Sequence, residues 1–297
     1  MSEELKPQAA APATPQVASQ APAAAPKKPA APAAAAPAAP AENDCHVRTI
    51  ERAAFRKEME RLHKEEHMDF LECLTGIDRE DDGLAVIYHL ESTATGKRTC
   101  VQVVCEGRET PNVPTVSDLW DIANIYEREA YDFYGIIFTG HPDMRRIYMR
   151  EDWVGYPFRK DDETEKNNPL RMTNEPLADT TDTYTLAPDG TLTKEQRNIF
   201  GEEDYVVNIG PQHPSTHGVL HFRVCLQGEV IKKIDPILGY IHRGVEKISE
   251  QMTYPQTLAL TDRLDYLGAM QNRHALCMCI EKAMGVEVSD RVKVIRT

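Results

Sequence analysis

Apolar and polar residues alternate with different periods along the chain, and each period predicts a different element. From Thr49 to His67, apolar residues recur at the spacing of one helix face, with charged residues between them. From Leu84 to Leu90, and again from Val101 to Cys105, every second residue is apolar, which is the period of a strand. Because the Thr93–Lys97 segment supplies a turn, these two runs predict a hairpin.

The same patterns continue further along. Ser117 is a plausible N-cap for a helix that ends at Gly135. Strand-like runs follow at 205–209, 219–226 and 230–235, with a turn at Gly228-Glu229, and helical patterns cover 241–251 and 256–284.

Two stretches lack such periodicity. The first forty-odd residues are mainly Ala, Pro, Gln and Lys, a composition that cannot bury a core, and Glu3 and Glu4 argue against a targeting peptide. Between residues 160 and 203, acidic clusters and prolines favour a connecting linker. The predicted organisation is a disordered arm at 1–42, a domain at 43–160, a linker at 161–203 and the start of another domain at 204–297.

Charge and hydropathy exclude some classes of function. The 297 residues carry a formal net charge of -13, whereas nucleic-acid binding needs a clustered positive face. No uninterrupted apolar run approaches the roughly 18–20 residues that span a bilayer. Any link to a membrane is therefore expected to go through other proteins.

The cysteines give no sign of a metal centre. There are seven, and none forms the paired spacing typical of zinc or iron–sulfur ligation. An odd number of cysteines at scattered spacings favours free, reduced thiols. The cysteine spacing therefore predicts no zinc site and no iron–sulfur cluster held by this chain.

The first candidate constellation is a charged helical run followed by a segment rich in arginine, glycine and proline. Such runs are often only solvated, salt-bridged helix faces. Here the density of arginine and aromatic residues favours a docking surface instead. The candidate docking residues are Glu127, Arg128, Glu129, His141, Arg145 and Arg146.

This constellation resembles the 30 kDa subunit of respiratory complex I, the proton-pumping NADH:quinone oxidoreductase, over about 45–160. The likeness rests on Glu-Arg-Glu with the following aromatic pair, then Gly140-His141-Pro142 and Arg145-Arg146. It implies an α+β domain that carries no cofactor and packs in the peripheral arm of the complex.

The second constellation is a loop with two histidines. Pro211 and Pro214 remove backbone donors and disfavour helix, so His213 and His217 are expected on a strand connection. Metal binding would need a third ligand, and none is evident nearby in sequence. A structural pair held by hydrogen bonds and a functional pair both stay open on the residues alone.

The block from Asn208 to Lys247 resembles the start of the complex I 49 kDa subunit, and Asp262–Tyr266 continues the likeness. The chain therefore resembles the fused 30/49 kDa subunit of some bacteria, with 161–203 as the joint. The resemblance implies a quinone site in which His217 and Tyr266 are catalytic and His213 also contacts quinone. It places Arg243 near the terminal iron–sulfur cluster of a partner subunit.

The 49 kDa family is related to the large subunit of nickel–iron hydrogenases, which offers a rival function. Nickel needs thiolates, and the comparable stretch Arg263–Gly268 has none. Membrane-bound hydrogenase relatives and a non-catalytic assembly scaffold remain the alternatives. The family's bundle continues further than Thr297, so the resemblance implies either a fragment or a remainder supplied by another chain.

Together these expectations describe an α+β chain ending in the β-rich start and first helices of a hydrogenase-like bundle. The resemblance implies a subunit of NADH:quinone oxidoreductase that is active only in the assembled complex, couples electron transfer to proton translocation, and has quinone as substrate. Its expected partners are the iron–sulfur subunit with the terminal cluster, other peripheral-arm subunits and membrane-arm subunits. Its expected place is the cytoplasmic side of the bacterial inner membrane. The electron donor and the kind of quinone stay open.

Overall fold

A computed structural model describes residues 46–150, 153–162, 177–212 and 218–296. Residues 40–297 form one compact unit. The predicted arm at 1–42 lies outside the described residues, and so do His213 and His217.

The N-terminal core is a four-stranded sheet with helices packed on one face. Its elements are β1 (Val47–Ile50), α1 (Arg52–Lys64), β2 (Phe70–Asp78), a short 3₁₀ helix (Glu80–Asp82), β3 (Leu84–Glu91) and β4 (Arg98–Val104). The strand order is β1-β4-β3-β2, with β1 parallel to β4 and the other neighbours antiparallel. The predicted first helix and hairpin are confirmed: Phe55, Met59 and Leu62 of α1 are fully buried against alternate residues of the hairpin.

A second helix lies across this sheet between two short parallel strands. These elements are β5 (Asn112–Pro114), α2 (Ala123–Tyr134) and β6 (Ile137–Thr139). The predicted end is confirmed, because Gly135 closes the helix in the left-handed conformation with φ 72°. The predicted start at Ser117 is wrong. The Ser117 amide instead bonds the Thr115 hydroxyl in a turn, and regular helix begins only at Ala123.

Part of the region predicted as a linker is a regular hairpin, and this corrects the prediction for residues 180–198. Its strands are β7 (Thr180–Leu186) and β8 (Leu192–Asn198). Gly140 and Met144 donate backbone hydrogen bonds to the carbonyls of Tyr184 and Asp182. The hairpin is polar on most of its surface, which explains why no apolar alternation marks it in the sequence.

The C-terminal region begins with an antiparallel sheet and continues with helices. The sheet contains β9 (Tyr205–Gln212), β10 (Leu220–Gln227) and β11 (Val230–Pro236) in the order β11-β10-β9. The helices are α3 (Val245–Ser249), α4 (Tyr254–Thr261), α5 (Ala269–Met284) and α6 (Asp290–Arg296). The three predicted strands and the turn at Gly228, with φ 62°, are confirmed.

Two of the predicted helices differ from the observed ones. The helix predicted at 241–251 begins only at Val245, because Gly244 adopts the left-handed conformation with φ 59°. The helix predicted at 256–284 is interrupted between Thr261 and Ala269. This break contains Tyr266, so its side chain belongs to a turn. Among the described helices, none combines the length and the apolar character needed to cross a bilayer.

Candidate functional site at the junction of the N- and C-terminal regions

Three of the six residues predicted to form a docking surface are buried, and the prediction is wrong for them. Glu127 and His141 are fully buried, and Arg128 is only 4% exposed. Helix α2 turns this side chain face toward the protein interior, where the groups meet internal partners. Arg128, for example, donates to the carbonyls of Arg145 and Arg146 at 3.2 and 3.1 Å.

Arg146 has an internal role as well, through the fully buried Asp132. The Asp132 carboxylate accepts from Arg146 Nη1 at 2.7 Å and from the backbone amides of Ile147, Tyr148 and Met149 at 3.1, 2.8 and 2.8 Å. These bonds hold the segment after Arg146 against α2. The Arg146 side chain is 11% exposed, so it does not form a docking surface.

Arg145 joins the two regions of the chain. Its guanidinium forms an ion pair with Asp235 of β11, and Asp235 also accepts from Arg223 Nε of β10 at 2.8 Å. The Asp235 side chain is 1% exposed and that of Arg145 is 10% exposed. The docking prediction for Arg145 is thus corrected: the partner of this arginine is the C-terminal sheet of the same chain.

Burial changes the acid–base properties of Glu127 and His141. Glu127 accepts from the Thr115 hydroxyl at 2.5 Å and the Val116 amide at 2.7 Å, yet burial raises the pKa of its carboxyl to about 8. His141 accepts from the Asp143 amide at Nδ1 and donates from Nε2 to the Asn124 carbonyl. Burial lowers the pKa of His141 to about 4, and so the pair is neutral near pH 7.

We expect Glu127→Gln to stabilise the chain relative to the unmodified protein, increasingly as pH rises from about 4.5 to 8. In this window the unfolded carboxyl loses its proton while the folded one keeps it, so the free energy of unfolding falls with rising pH. Each unit of pKa corresponds to about 1.4 kcal/mol, and the difference should reach a few kcal/mol. Urea unfolding at pH 5, 7 and 9 measures it.

The control for this experiment is Glu195→Gln, which removes a negative charge from a side chain that is 54% exposed. Its stability difference should stay nearly constant with pH. If the Glu127→Gln difference is equally constant, the buried carboxyl is not held protonated.

A cavity of about 390 Å³, here called the junction cavity, lies between α2 and the C-terminal helices. Segments that are distant in sequence meet at its wall. Gly218 and Val219 come from the end of the histidine loop, Arg243 from the turn before α3, and Arg263 and Leu264 from the turn after α4. The structure thus brings together three sequence motifs that were singled out separately.

The N-terminal region contributes one wall of the junction cavity, through Glu129, Phe133 and Tyr148. Burial raises the pKa of Glu129 to about 7, and the nearby negative charges of Glu246 and Asp132 act in the same direction. Tyr148 forms a hydrogen bond with Glu129, and burial raises the pKa of Tyr148 to about 12. Of the predicted docking residues, Glu129 is the one that reaches this cavity.

Of the predicted quinone-site and cluster residues that the structure describes, Arg243 lines the cavity and Tyr266 does not. Arg243 is exposed at its wall. Tyr266 follows the wall residue Leu264 by two positions, and its side chain is 57% exposed. His213 and His217 lie between Gln212 and Gly218, outside the described residues. The backbone that leaves the histidine loop at Gly218 therefore runs along the wall of this cavity.

Gly239 and His242 belong to the block Asn208–Lys247 that the sequence singles out, but the sequence assigned no role to either. His242 lies against Phe133 and Tyr148 with ring centroids 5.1 Å from each. Gly239 has φ 102°, and a Cβ there would lie 3.1 Å from the Tyr148 carbonyl oxygen. Gly239 is a signal that the sequence does contain, since a glycine between apolar residues often marks a close backbone approach.

The described residues contain no group of three or more histidine, cysteine, aspartate or glutamate side chains placed to hold a metal ion. Because His213 and His217 are outside that search, the expectation of no metal stays a prediction.

Comparison with known proteins identifies the family to which this chain is similar. Residues 48–168 match the family described as respiratory-chain NADH dehydrogenase, 30 Kd subunit. The chain is 62% identical over 261 residues to the NADH-quinone oxidoreductase C/D subunit of Bacteroides thetaiotaomicron, covering 84% of this chain and 49% of the relative. It is 37% identical over 227 residues to the C/D subunit of Nitrosospira multiformis, covering 75% of this chain and 37% of the relative. The chain spans about half the length of the Bacteroides relative and less of the Nitrosospira one.

Proposed function

The chain belongs to the family of fused C/D subunits of NADH-quinone oxidoreductase, and from this premise we propose that it forms part of the quinone site of that complex. It would be a peripheral-arm subunit, active only when assembled. The observation that carries the proposal is the junction cavity, where the end of the histidine loop, Arg243 and the start of the Tyr266 turn converge.

The chemistry that this region must supply is proton donation during quinone reduction. A quinone becomes a quinol by taking up two electrons and two protons. Tyr266 would donate its O–H to one quinone carbonyl, since phenols are protonated donors at neutral pH. His217 would donate or relay a proton, because imidazole titrates near physiological pH. His213 would contact the quinone and brace the loop.

Electrons would come from the terminal iron–sulfur cluster of a partner subunit, and no cofactor would be bound by this chain. Arg243 suits a place beside that cluster, because its guanidinium is exposed at the junction and carries a permanent positive charge. A fixed cation nearby stabilises the reduced, more negative cluster.

The surface that contacts partner subunits would lie on the C-terminal helices rather than on the buried arginine network. Leu267, Met270 and Met278 are 67%, 79% and 56% exposed. Leu267 lies just before α5, and the two methionines lie on it. Exposed apolar patches are typical of interaction surfaces. These helices would be the first of a hydrogenase-like bundle. The partners would hold the chain at the cytoplasmic face of the inner membrane, where quinone reduction is coupled to proton translocation.

A photoreactive quinone analogue tests the proposal in the purified, assembled complex. We expect light-dependent labelling of peptides between residues 213 and 270, and an excess of unlabelled quinone should suppress it. Labelling of this subunit only outside that range, or labelling insensitive to competing quinone, would refute the assigned site.

We expect Arg243→Met to lower the midpoint potential of the partner's terminal cluster, since it removes a positive charge that favours the reduced state. A redox titration followed by electron paramagnetic resonance measures the potential. Arg243→Lys is the matched control, because it keeps the charge and should retain most of the potential. An unchanged midpoint in Arg243→Met would remove the electrostatic role of this residue.

A further inference from the structure

Four aromatic rings stack across the junction, and three of them belong to the N-terminal region. Phe133 of α2 stacks on Phe158 at 4.2 Å and 13° between planes, and on Tyr148 at 5.5 Å and 3°. His242 of the C-terminal region lies nearly parallel to Phe133 and Tyr148, with interplanar angles of 23° and 21°. The residue immediately before Arg243 thus packs against aromatic rings of the N-terminal region.

Two rings of the stack are buried, whereas Tyr148 and His242 are half-buried. Phe133 is 2% exposed and Phe158 is 8% exposed. Burial lowers the pKa of His242, although the charges of Glu246 and Asp132 oppose this. A neutral imidazole can lie on the aromatic faces without carrying a buried charge. Offset-stacked ring pairs of this kind contribute beyond the area they bury.

The backbone around Arg243 is held at a second point, independent of the rings. Gly239 passes so close to Tyr148 that an added Cβ would lie 3.2 Å from the Tyr148 Cα. The His242 amide donates to the Gly239 carbonyl at 3.0 Å, which closes a tight turn. Gly244 then enters α3 with φ 59°. The path of the chain from Gly239 to Gly244 is therefore set by the Tyr148 segment, which Asp132 holds in turn.

We propose that Phe133 and Tyr148 are positioning residues for Arg243, acting through the ring of His242 and the close backbone contact at Gly239. The N-terminal region thereby fixes the position of the Arg243 guanidinium in the C-terminal region. The consequence for the partner's cluster rests on the proposed function, whereas the positioning itself does not.

Hydrogen exchange of the assembled complex tests the positioning directly. In Phe133→Leu and Tyr148→Leu, amides of the peptide covering residues 239–249 should exchange roughly two- to tenfold faster, since a stacked pair that restrains the turn is lost. Tyr148→Phe keeps the ring and should behave like the unmodified complex. Phe55→Leu, in the distant core between α1 and the sheet, controls for general loss of packing.

Gly239→Ala provides a variant that keeps all four rings. Its Cβ should displace the turn from Tyr148, and the same peptide should exchange faster. If Phe133→Leu and Gly239→Ala exchange no faster than Phe55→Leu, the positioning role is overturned.

The midpoint potential of the partner's cluster separates this inference from the proposed function. Phe133→Leu should lower it in the same direction as Arg243→Met, and the double variant should equal Arg243→Met alone, because both act through one charge. Additive shifts would mean that Phe133 does not act through Arg243, which overturns the inference. Faster exchange in Phe133→Leu with no shift in Arg243→Met would instead support the positioning and refute the role of Arg243 at the cluster.

Discussion

Replacing Tyr266 by phenylalanine should lower quinone turnover of the assembled complex about a hundredfold, the lower end of what a positioned proton donor contributes. The change removes one O–H and leaves the ring, so assembly of the complex should persist. Steady-state kinetics with a short-chain quinone, together with the yield of intact complex, measure both effects. The expected result is a loss in the catalytic constant with a smaller change in the Michaelis constant.

Tyr254→Phe is the matched control for this variant. Tyr254 opens α4 and is 73% exposed, so the change again removes one O–H from an exposed tyrosine and leaves the ring. Its turnover should stay close to that of the unmodified complex. Equal losses in the two variants, or full turnover in Tyr266→Phe, would contradict the donor role of Tyr266.

Asp132→Ala should destabilise the chain by about 3–5 kcal/mol, the usual cost of breaking a buried ion pair by removing one partner. The fully buried carboxylate holds Arg146 and three successive backbone amides, which lose their acceptor together. Urea unfolding of the full chain measures the free energy of unfolding. Asp132→Asn should cost less, because an amide oxygen can still accept from part of this set.

Asp118→Ala is the comparison for an exposed pair. Asp118 bonds Arg56 with a side chain that is 59% exposed, and such pairs contribute about 0–1 kcal/mol. A loss in Asp132→Ala no larger than in Asp118→Ala would show that the carboxylate does not hold the segment after Arg146.

Most helices and strands were predictable from the local apolar pattern. The prediction failed where that pattern did not reflect the tertiary contacts. The hairpin from Leu84 to Val104 was predictable because its apolar residues face one core on a strand period. The hairpin at 180–198 was not predictable, because its strands are polar. Backbone hydrogen bonds from Gly140 and Met144 fix its position. The break at Tyr266 was also missed, since apolar helical spacing continues through it in the sequence.

The docking prediction failed for a related reason. A run of Glu, Arg and Asp residues at helical spacing looks the same in sequence whether the face meets water or the protein interior. Only the tertiary structure shows that these side chains have internal partners: Glu127 bonds Thr115 and Val116, whereas Arg128 and Asp132 bond the Asp143–Met149 segment. The spacing of charged residues along a helix does not show which distant residue will pair with each of them.

The sequence by itself determines the family of both regions, because short motifs such as Gly140-His141-Pro142 and His242-Arg243-Gly244 have specific residues at specific spacings. Which of these motifs meet depends on the tertiary fold. Arg243 and the turn that carries Tyr266 are separated along the chain, and they come to one cavity whose opposite wall contains Phe133 and Tyr148. Such contacts depend on stacking, burial and close backbone approach between distant segments, none of which has a local period that the sequence could display.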